Sequence, residues 1–542
     1  MKITYENKRL EVEKGSTPLE VLKYEIKEVN AIACKVNNEV RALNYRIEED
    51  AQVELLDITD QDGMRIYIRG ILFVMAKAFD KLFPEAELDV NYQLHNSMFC
   101  EAKNINLTEE ILQKVSEEMR RIISENIEIR KVIMTKEEAE IFYKKEQTTR
   151  GKLQLEAKEQ VSLYYCEDYY NYFYGVMPVS TGILKIYELI KYQDGFLIRY
   201  PSRKMPNGLT KFNDTRKLST TLNEYDDIHK ILKVSTVHNL NEIVRRGNAK
   251  DLILLDEALH EKKMAAIADK VARNKNIKVV LIAGPSSSGK TTFAKRLGIQ
   301  LRLNGLKPVT ISVDNYFVER EDTPRDEKGN YDFESINAID IDLFNTHLIK
   351  LINGEEVDVP TFNFKEGHKK YDGTKMSLAE DEILVIEGIH CLNDKLTEKI
   401  AKEQKYKIYI SDLTILNIDT FNRISTTDSR LIRRMVRDYK YRGYSALHTL
   451  KMWYSVNRGE EKNIFPFQEE ADSMFNSSLV YELAVLKDYA IPLLEEITKD
   501  KKEYSEAVRL RDLLRYFSSI PEDDIPKNSL LREFIGGSIF GE

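Results

Sequence analysis

Hydrophobic positions along the chain change period several times, and each change suggests a new unit. Near the N-terminus, Met1 to Tyr5 and Lys8 to Val12 alternate apolar and polar residues, which predicts two strands joined by a polar turn. Ser16-Thr17-Pro18 is a helix start, with Pro18 tolerated in the first turn, and Leu19, Val21, Leu22 and Tyr24 supply the apolar positions. Ile32–Val36 and Gln52–Leu56 read as further strands. From Tyr67 through Phe79 the pattern is that of an apolar helix. Leu240 to Arg246 and Asp251 to Asn274 return to helical spacing, the second with Leu255, Ala258, Met264, Ile267 and Val271. Lys278-Val279-Val280-Leu281-Ile282-Ala283 is a short continuous apolar run, as expected of a strand buried on both faces. A helix follows from Thr292 to Asn304, with Phe293, Leu297, Ile299 and Leu301 as its apolar positions. Asn304-Gly305 ends it, and Pro308–Val313 is a second buried strand. Glu382–Glu387 is a third, and a helix spans Tyr504 to Phe517.

At 542 residues the chain is too long for one core. The expected divisions are 1–60, 61–225, a helical connector over 226–275, 276–500, and a tail over 501–542. The expected class is multidomain, α+β in the N-terminal half and α/β with a mainly parallel sheet in the C-terminal half. The net charge of −8 argues against nonspecific nucleic-acid binding by the whole protein. Cys34, Cys100, Cys166 and Cys391 form no CxxC pair, which points to a reducing, cytoplasmic setting without a disulfide framework. Met1 runs directly into a strand-like segment without a secretory pattern, and no apolar run is long enough to span a bilayer. No membrane partner is expected.

The strongest chemistry lies at Gly284-Pro285-Ser286-Ser287-Ser288-Gly289-Lys290-Thr291, which fits G-x-x-x-x-G-K-[ST] between a strand and a helix. Glycines let such a loop turn its N–H groups inward as an anion nest, and the following helix adds its positive end. In this reading Gly284 through Thr292 cradle the phosphates of ATP. Lys290 meets the β- and γ-phosphates, and the Thr291 hydroxyl faces Mg²⁺. Asp314 ends the second buried strand, where a side chain faces the ligand crevice, and is a candidate base; a turn or helix cap is the bland alternative. Glu387, after four apolar residues and before Gly388, is a candidate for holding Mg²⁺ directly or through water. Arg430, Arg433, Arg434 and Arg437 fall on one helical face, followed by Asp438 and Arg442-Gly443. Such clustering of cations predicts a nearby anion, read here as polyphosphate, with distant protein acids as the alternative.

These segments occur in the order seen in uridine kinases, together with Ser312–Phe317, Tyr331-Asp332-Phe333-Glu334 and Val359-Pro360-Thr361-Phe362-Asn363-Phe364. Residues 275–500 therefore resemble the uridine kinase/phosphoribulokinase family. The resemblance implies Asp314 as catalytic base, with Lys290 and Arg437 offsetting the transferred charge. It implies an acceptor pocket between Phe317 and Phe364 drawing on Tyr316, Phe317, Glu334, Phe362 and His368. Arg433 and Arg442 would touch substrate phosphates. The order Tyr316-Phe317, the Phe362-Asn363-Phe364 segment with His368 nearby, and Glu334 in place of Asp depart from the usual pattern. Each alters hydrogen bonding, so phosphoryl transfer is implied and the acceptor is left open. Uridine or cytidine is the first expectation. Another nucleoside, a sugar phosphate, or an RNA-binding regulator switched by nucleotide are the alternatives.

Residues 1–60 resemble the TGS domain, a β-grasp module of threonyl-tRNA synthetases, and 61–225 resemble the second domain of threonyl- and alanyl-tRNA synthetases. That family's four ligand positions fall here on Arg69, Phe73, Phe173 and Met177, none of which binds zinc in this way. RNA contact through this half is a candidate role. The dense aromatics from Tyr164 to Tyr174 have acidic neighbours, Glu167 and Asp168, and read as half-buried strand residues before they read as base-stacking platforms. The basic stretch Arg199–Lys217 reads as a solvated loop face. The tail packs on the kinase core or at a subunit contact, and an oligomer is open.

Overall fold

A computed structural model describes residues 1–325, 329, 331–363 and 366–541. The first unit is a five-stranded sheet in the order Lys8–Glu11, Lys2–Tyr5, Ala51–Leu56, Ala33–Val36, Glu39–Arg41. Lys2–Tyr5 runs parallel to Ala51–Leu56, and the other pairs are antiparallel. Alternation works as expected here: Ile3, Tyr5, Val53 and Val36 point into one small core with Leu22. The helical region divides in two, Pro18–Val21 and Lys23–Val29. Thr17 and Glu20 form a reciprocal capping box around Pro18. Tyr24, expected on the buried face, is instead 86% exposed, because the break at Leu22 turns the second segment relative to the first.

The second unit is built on the helix Gln61–Leu82, which begins earlier than its apolar pattern predicts. Its start is set by a close approach: a Cβ on Gly63 would stand 1.7 Å from the Asp57 carbonyl oxygen. The helix packs on an antiparallel sheet in the order Glu188–Tyr192, Gly195–Arg199, Ser97–Lys103, Glu87–Gln93. A second sheet joins Arg130–Thr135, Gln160–Cys166 and Tyr169–Asn171. Phe73 meets Phe173 edge-on with ring centroids 5.7 Å apart, and Met177 is buried beside them. Arg69 donates to the Val176 carbonyl at 3.0 Å. The four positions that hold ligands in the resembled synthetases are thus two phenyl rings, a thioether and one guanidinium here.

The C-terminal unit is a wholly parallel sheet in the order Lys307–Ser312, Glu382–Glu387, Val279–Ala283, Lys405–Ser411, Ser473–Asn476. Every residue of Val279–Ala283 is buried, which explains its unbroken apolar run. The register pairs Ile282 and Ser312 each with Glu387. Three strands therefore deliver their C-terminal ends to one edge, where such sheets bind ligands.

The two halves are tightly joined. The helix Arg216–Leu232, which the sequence pattern missed, precedes Val237–Arg245 and Ala249–Arg273. On Ala249–Arg273 the buried face includes Asp256, Glu257 and His260, while Leu255 is exposed. The loop after Lys405–Ser411 reaches into the N-terminal half: Val90 donates to the Thr420 carbonyl at 2.8 Å, and Tyr174 N–H donates to Asn422 Oδ1 at 2.6 Å. The hydroxyls of Tyr172 and Tyr516 lie 2.6 Å apart in the same seam. The Tyr164–Tyr174 aromatics are thus largely interior, as their acidic neighbours suggested. Bases of Arg199–Lys217 are also engaged: Arg203 donates to the Thr59 carbonyl at 3.0 Å and Lys217 to the Ala471 carbonyl at 2.8 Å.

Arg65 forks onto Glu506 at 2.7 and 3.0 Å, and Arg509 forks onto Asp428 at 2.7 Å through each nitrogen. Arg509 also binds Glu506, at 2.9 and 2.7 Å. Asp428 lies in the first turn of the helix Thr426–Arg442, so this network ties that helix to the N-terminal half. Burial alone would raise the Glu506 carboxyl, but Arg509 and Arg65 outweigh it and hold the group far below its usual range. A depressed carboxyl stabilises the fold above its unfolded value, about 4.3, and that contribution is lost as pH falls through the folded value. Glu506→Gln is expected to cost roughly 2–3 kcal/mol at pH 7. Its deficit against wild type should shrink as pH falls below about 4 in urea unfolding; a deficit independent of pH would rule the network out as its source.

Candidate active site

The loop from Gly284 to Gly289 connects Val279–Ala283 to the helix Lys290–Leu303. Gly289 has φ +83° and Ser287 φ 60°, the left-handed turns that point successive amides inward. Gly284 is required by a close approach, since a Cβ there would sit 1.9 Å from the Ile410 carbonyl oxygen of the neighbouring strand. Two amides of the cradle already hold carboxylates. Ser286 N–H donates to Glu460 Oε1 at 2.7 Å, and Thr292 N–H donates to Glu533 Oε2 at 3.1 Å. The loop therefore behaves as an anion site at both ends.

Lys290 Nζ folds back onto the Gly284 and Pro285 carbonyls at 2.9 and 3.0 Å. Burial lowers its ammonium, and Glu387, Glu533 and Glu460 pull it the other way. Thr291 Oγ1 donates to Glu387 at 3.2 Å. Asp314 stands in the turn Val313–Tyr316, directly after Lys307–Ser312. Its carboxyl is reached by solvent yet walled in by the cleft; that enclosure raises it, and nearby Lys290 lowers it. Enclosure also raises the Glu387 carboxyl, against the pull of Lys290, and Asp314 adds to the rise. Lys290, Thr291, Glu387 and Asp314 thus share one cleft and one electrostatic field. Residues 279–483 match the Phosphoribulokinase / Uridine kinase family.

That match takes in most of the C-terminal half. The chain is 28% identical over 258 residues to the uridine kinase of Saccharomyces cerevisiae, covering 47% of this chain and 46% of that protein. It is 25% identical over 232 residues to the uridine kinase of Halobacterium salinarum, covering 43% of this chain and 91% of that one. The N-terminal half matches threonine–tRNA ligases. That of Desulforamulus reducens is 32% identical over 182 residues, covering 32% of this chain and 29% of the ligase. The chain thus spans less than half of the yeast kinase and under a third of this ligase.

Within the C-terminal half the arginine face divides between structure and cleft. Arg430 is buried, forks onto Glu460 at 2.6 and 2.8 Å, and donates to the Ser286 carbonyl at 3.1 Å. Arg433 is fully buried among Glu482, Asp412 and the Ser477 carbonyl, and reaches the Ser287 carbonyl at 3.3 Å. The expectation that Arg433 touches substrate phosphates is therefore corrected: its anions are protein carboxylates, and it grips the loop from behind. Arg434 donates to Ser286 Oγ at 2.7 Å. Arg437 and Arg442 both bind Asp438, at 2.9 and 3.3 Å.

The acceptor side divides similarly. Tyr316, expected to contact substrate, is fully buried, with its hydroxyl 3.1 Å from His347 Nδ1. The turn Val313–Tyr316 swings it into the core, and Phe317, also buried, packs against Phe362 at 5.4 Å and Phe333 at 6.1 Å between ring centroids. Glu334 lies against the helix Ala446–Asn463, about where a Cβ on Gly459 would be 3.1 Å from it. Burial raises its carboxyl, Glu460 adds to the rise, and Arg434 opposes it. His368 pairs with Glu319 at 2.7 Å near the surface, and Lys369 with Asp340 at 2.5 Å. Phe364 lies outside the described residues.

Sequence reasoning missed Glu460, Glu482 and Glu533, which are among the carboxylates that hold the arginines or the loop. They lie in helical or loop segments without a motif, far along the chain from the groups they bind. Arg430→Lys keeps the charge but loses the fork to Glu460, leaving a buried carboxylate oxygen without its partner. It should destabilise the protein by about 2 kcal/mol in urea unfolding; an unchanged midpoint would mean that Glu460 is held by other groups.

Proposed function

We propose that this chain is an ATP-dependent kinase that phosphorylates the 5'-hydroxyl of a nucleoside, with uridine or cytidine as acceptor. The observation that carries this reading is the convergence of Lys290, the Thr291–Glu387 pair and Asp314 on one strand edge. A hydroxyl and a carboxylate are hard oxygen donors and fit Mg²⁺: Thr291 and Glu387 would hold the ion, which would offset phosphate charge there. The cradle amides orient the donor's phosphates, and Lys290 turns from its loop carbonyls toward them. Asp314 accepts the proton of the attacking hydroxyl, and its raised carboxyl suits that task. Arg434 and Arg437, at the cleft side of their helix, offset charge on the group in transit.

Phe317, Phe333 and Phe362 offer an aromatic wall to a planar base, and Glu334 a carboxylate to ribose hydroxyls. His368 and Lys369 are each tied to a carboxylate, which favours a neutral acceptor over a sugar phosphate. Asp314→Asn should keep Mg·ATP binding and lose turnover by about 10²–10⁴-fold. ADP release across a panel of nucleosides and sugar phosphates checks both the base and the acceptor. Full turnover in the variant would remove Asp314 from the mechanism, and rapid turnover with a sugar phosphate alone would replace the nucleoside.

A further inference from the structure

The Thr292 amide lies in the first turn of the helix that follows the phosphate loop, and Glu533 Oε2 accepts its hydrogen bond at 3.1 Å. Glu533 belongs to the turn Arg532–Ile535 near the end of the chain. The segment around it lies directly along the cradle. A Cβ on Gly289 would stand only 2.4 Å from Leu530 Cδ2. Lys295 Nζ donates to the Phe540 carbonyl at 3.0 Å, and Lys440 Nζ donates to the Ile535 carbonyl. The Arg433 guanidinium lies 5.1 Å from the centroid of the Phe534 ring. Leu530, Phe534 and Ile535 are all buried. The segment therefore touches the loop, its helix and the arginine helix together, and holds a negative charge at the helix's positive end.

One amide cannot serve two anions, and a donor phosphate brought to this helix end would also face the charge of Glu533 in a cleft that holds Glu387 and Glu460. We propose that Glu533 is a built-in competitor for the phosphate donor: residues 530–540 close the cradle, and Glu533 must leave Thr292 before the triphosphate seats. This rests on the kinase reading above. A carboxylate that merely caps the helix would make the opposite prediction, since its loss would weaken the helix end and donor binding with it. When a closed state prevails, the apparent donor affinity falls by the fraction that is open.

The test is Mg·ADP binding by titration calorimetry to full-length wild type, Glu533→Gln, Glu533→Ala, Lys440→Met and Lys290→Ala, with thermal melting to confirm folding. Both Glu533 variants should bind about fivefold or more tightly than wild type. Lys440→Met, which loosens the segment from outside the cradle, should shift affinity in the same direction and covers the case of a misfolded Glu533 variant. Lys290→Ala should bind weakly, showing that the signal comes from the cradle. If wild type binds Mg·ADP through Lys290 but the folded Glu533 and Lys440 variants bind no more tightly, the competitor is overturned while the kinase reading stands. If neither wild type nor any variant binds, both are overturned.

Discussion

The site depends on a loop whose inward face collects anions while its outward carbonyls are held by arginine. A peptide loop that turns its amides inward must turn several carbonyls outward, and buried carbonyls need donors. Arg430 and Arg433 meet that need at Ser286 and Ser287, and each is itself neutralised by a buried carboxylate, Glu460 or Glu482. Such buried pairs add little net stability, because desolvation consumes most of the attraction. What they provide is geometry: each planar fork fixes a direction, so the loop keeps its shape without phosphate.

This arrangement also explains what the sequence could and could not reveal. The strand, loop and helix around Gly284 were legible because local rules act there: an apolar run, two glycines and a helical period. Asp314 and Glu387 were legible because the ends of parallel strands share an edge. The arginine face was legible as a cluster of cations in search of anions, but which anions it meets depends on pairings across tens of residues. Tyr316 shows the same limit at shorter range, since one tight turn buries its ring completely and hands its hydroxyl to His347. The apolar pattern also placed Leu255 and Ile299 inward, yet both are exposed, because burial on their helices follows the neighbours rather than the period alone.

The N-terminal half carries a synthetase-like arrangement in which the ligand positions have become packing. Its aromatics, read along the chain, form a dense stretch without obvious purpose. In three dimensions Tyr172 and Tyr174 form part of the seam with the C-terminal half, and the Arg65, Glu506, Arg509 and Asp428 network continues it. Composition indicated a buried role for this stretch, but only the contacts between distant segments show what it is buried against.

The seam has a consequence for how the molecule is made. The N-terminal face that receives Thr420, Asn422 and Tyr516 is synthesised long before those residues leave the ribosome. Until then it presents unpaired polar groups and uncovered rings to solvent, the kind of surface that invites chaperones and self-association. Folding of the first half is thus completed by segments made far later, and products cut before Thr420 would leave that face uncovered.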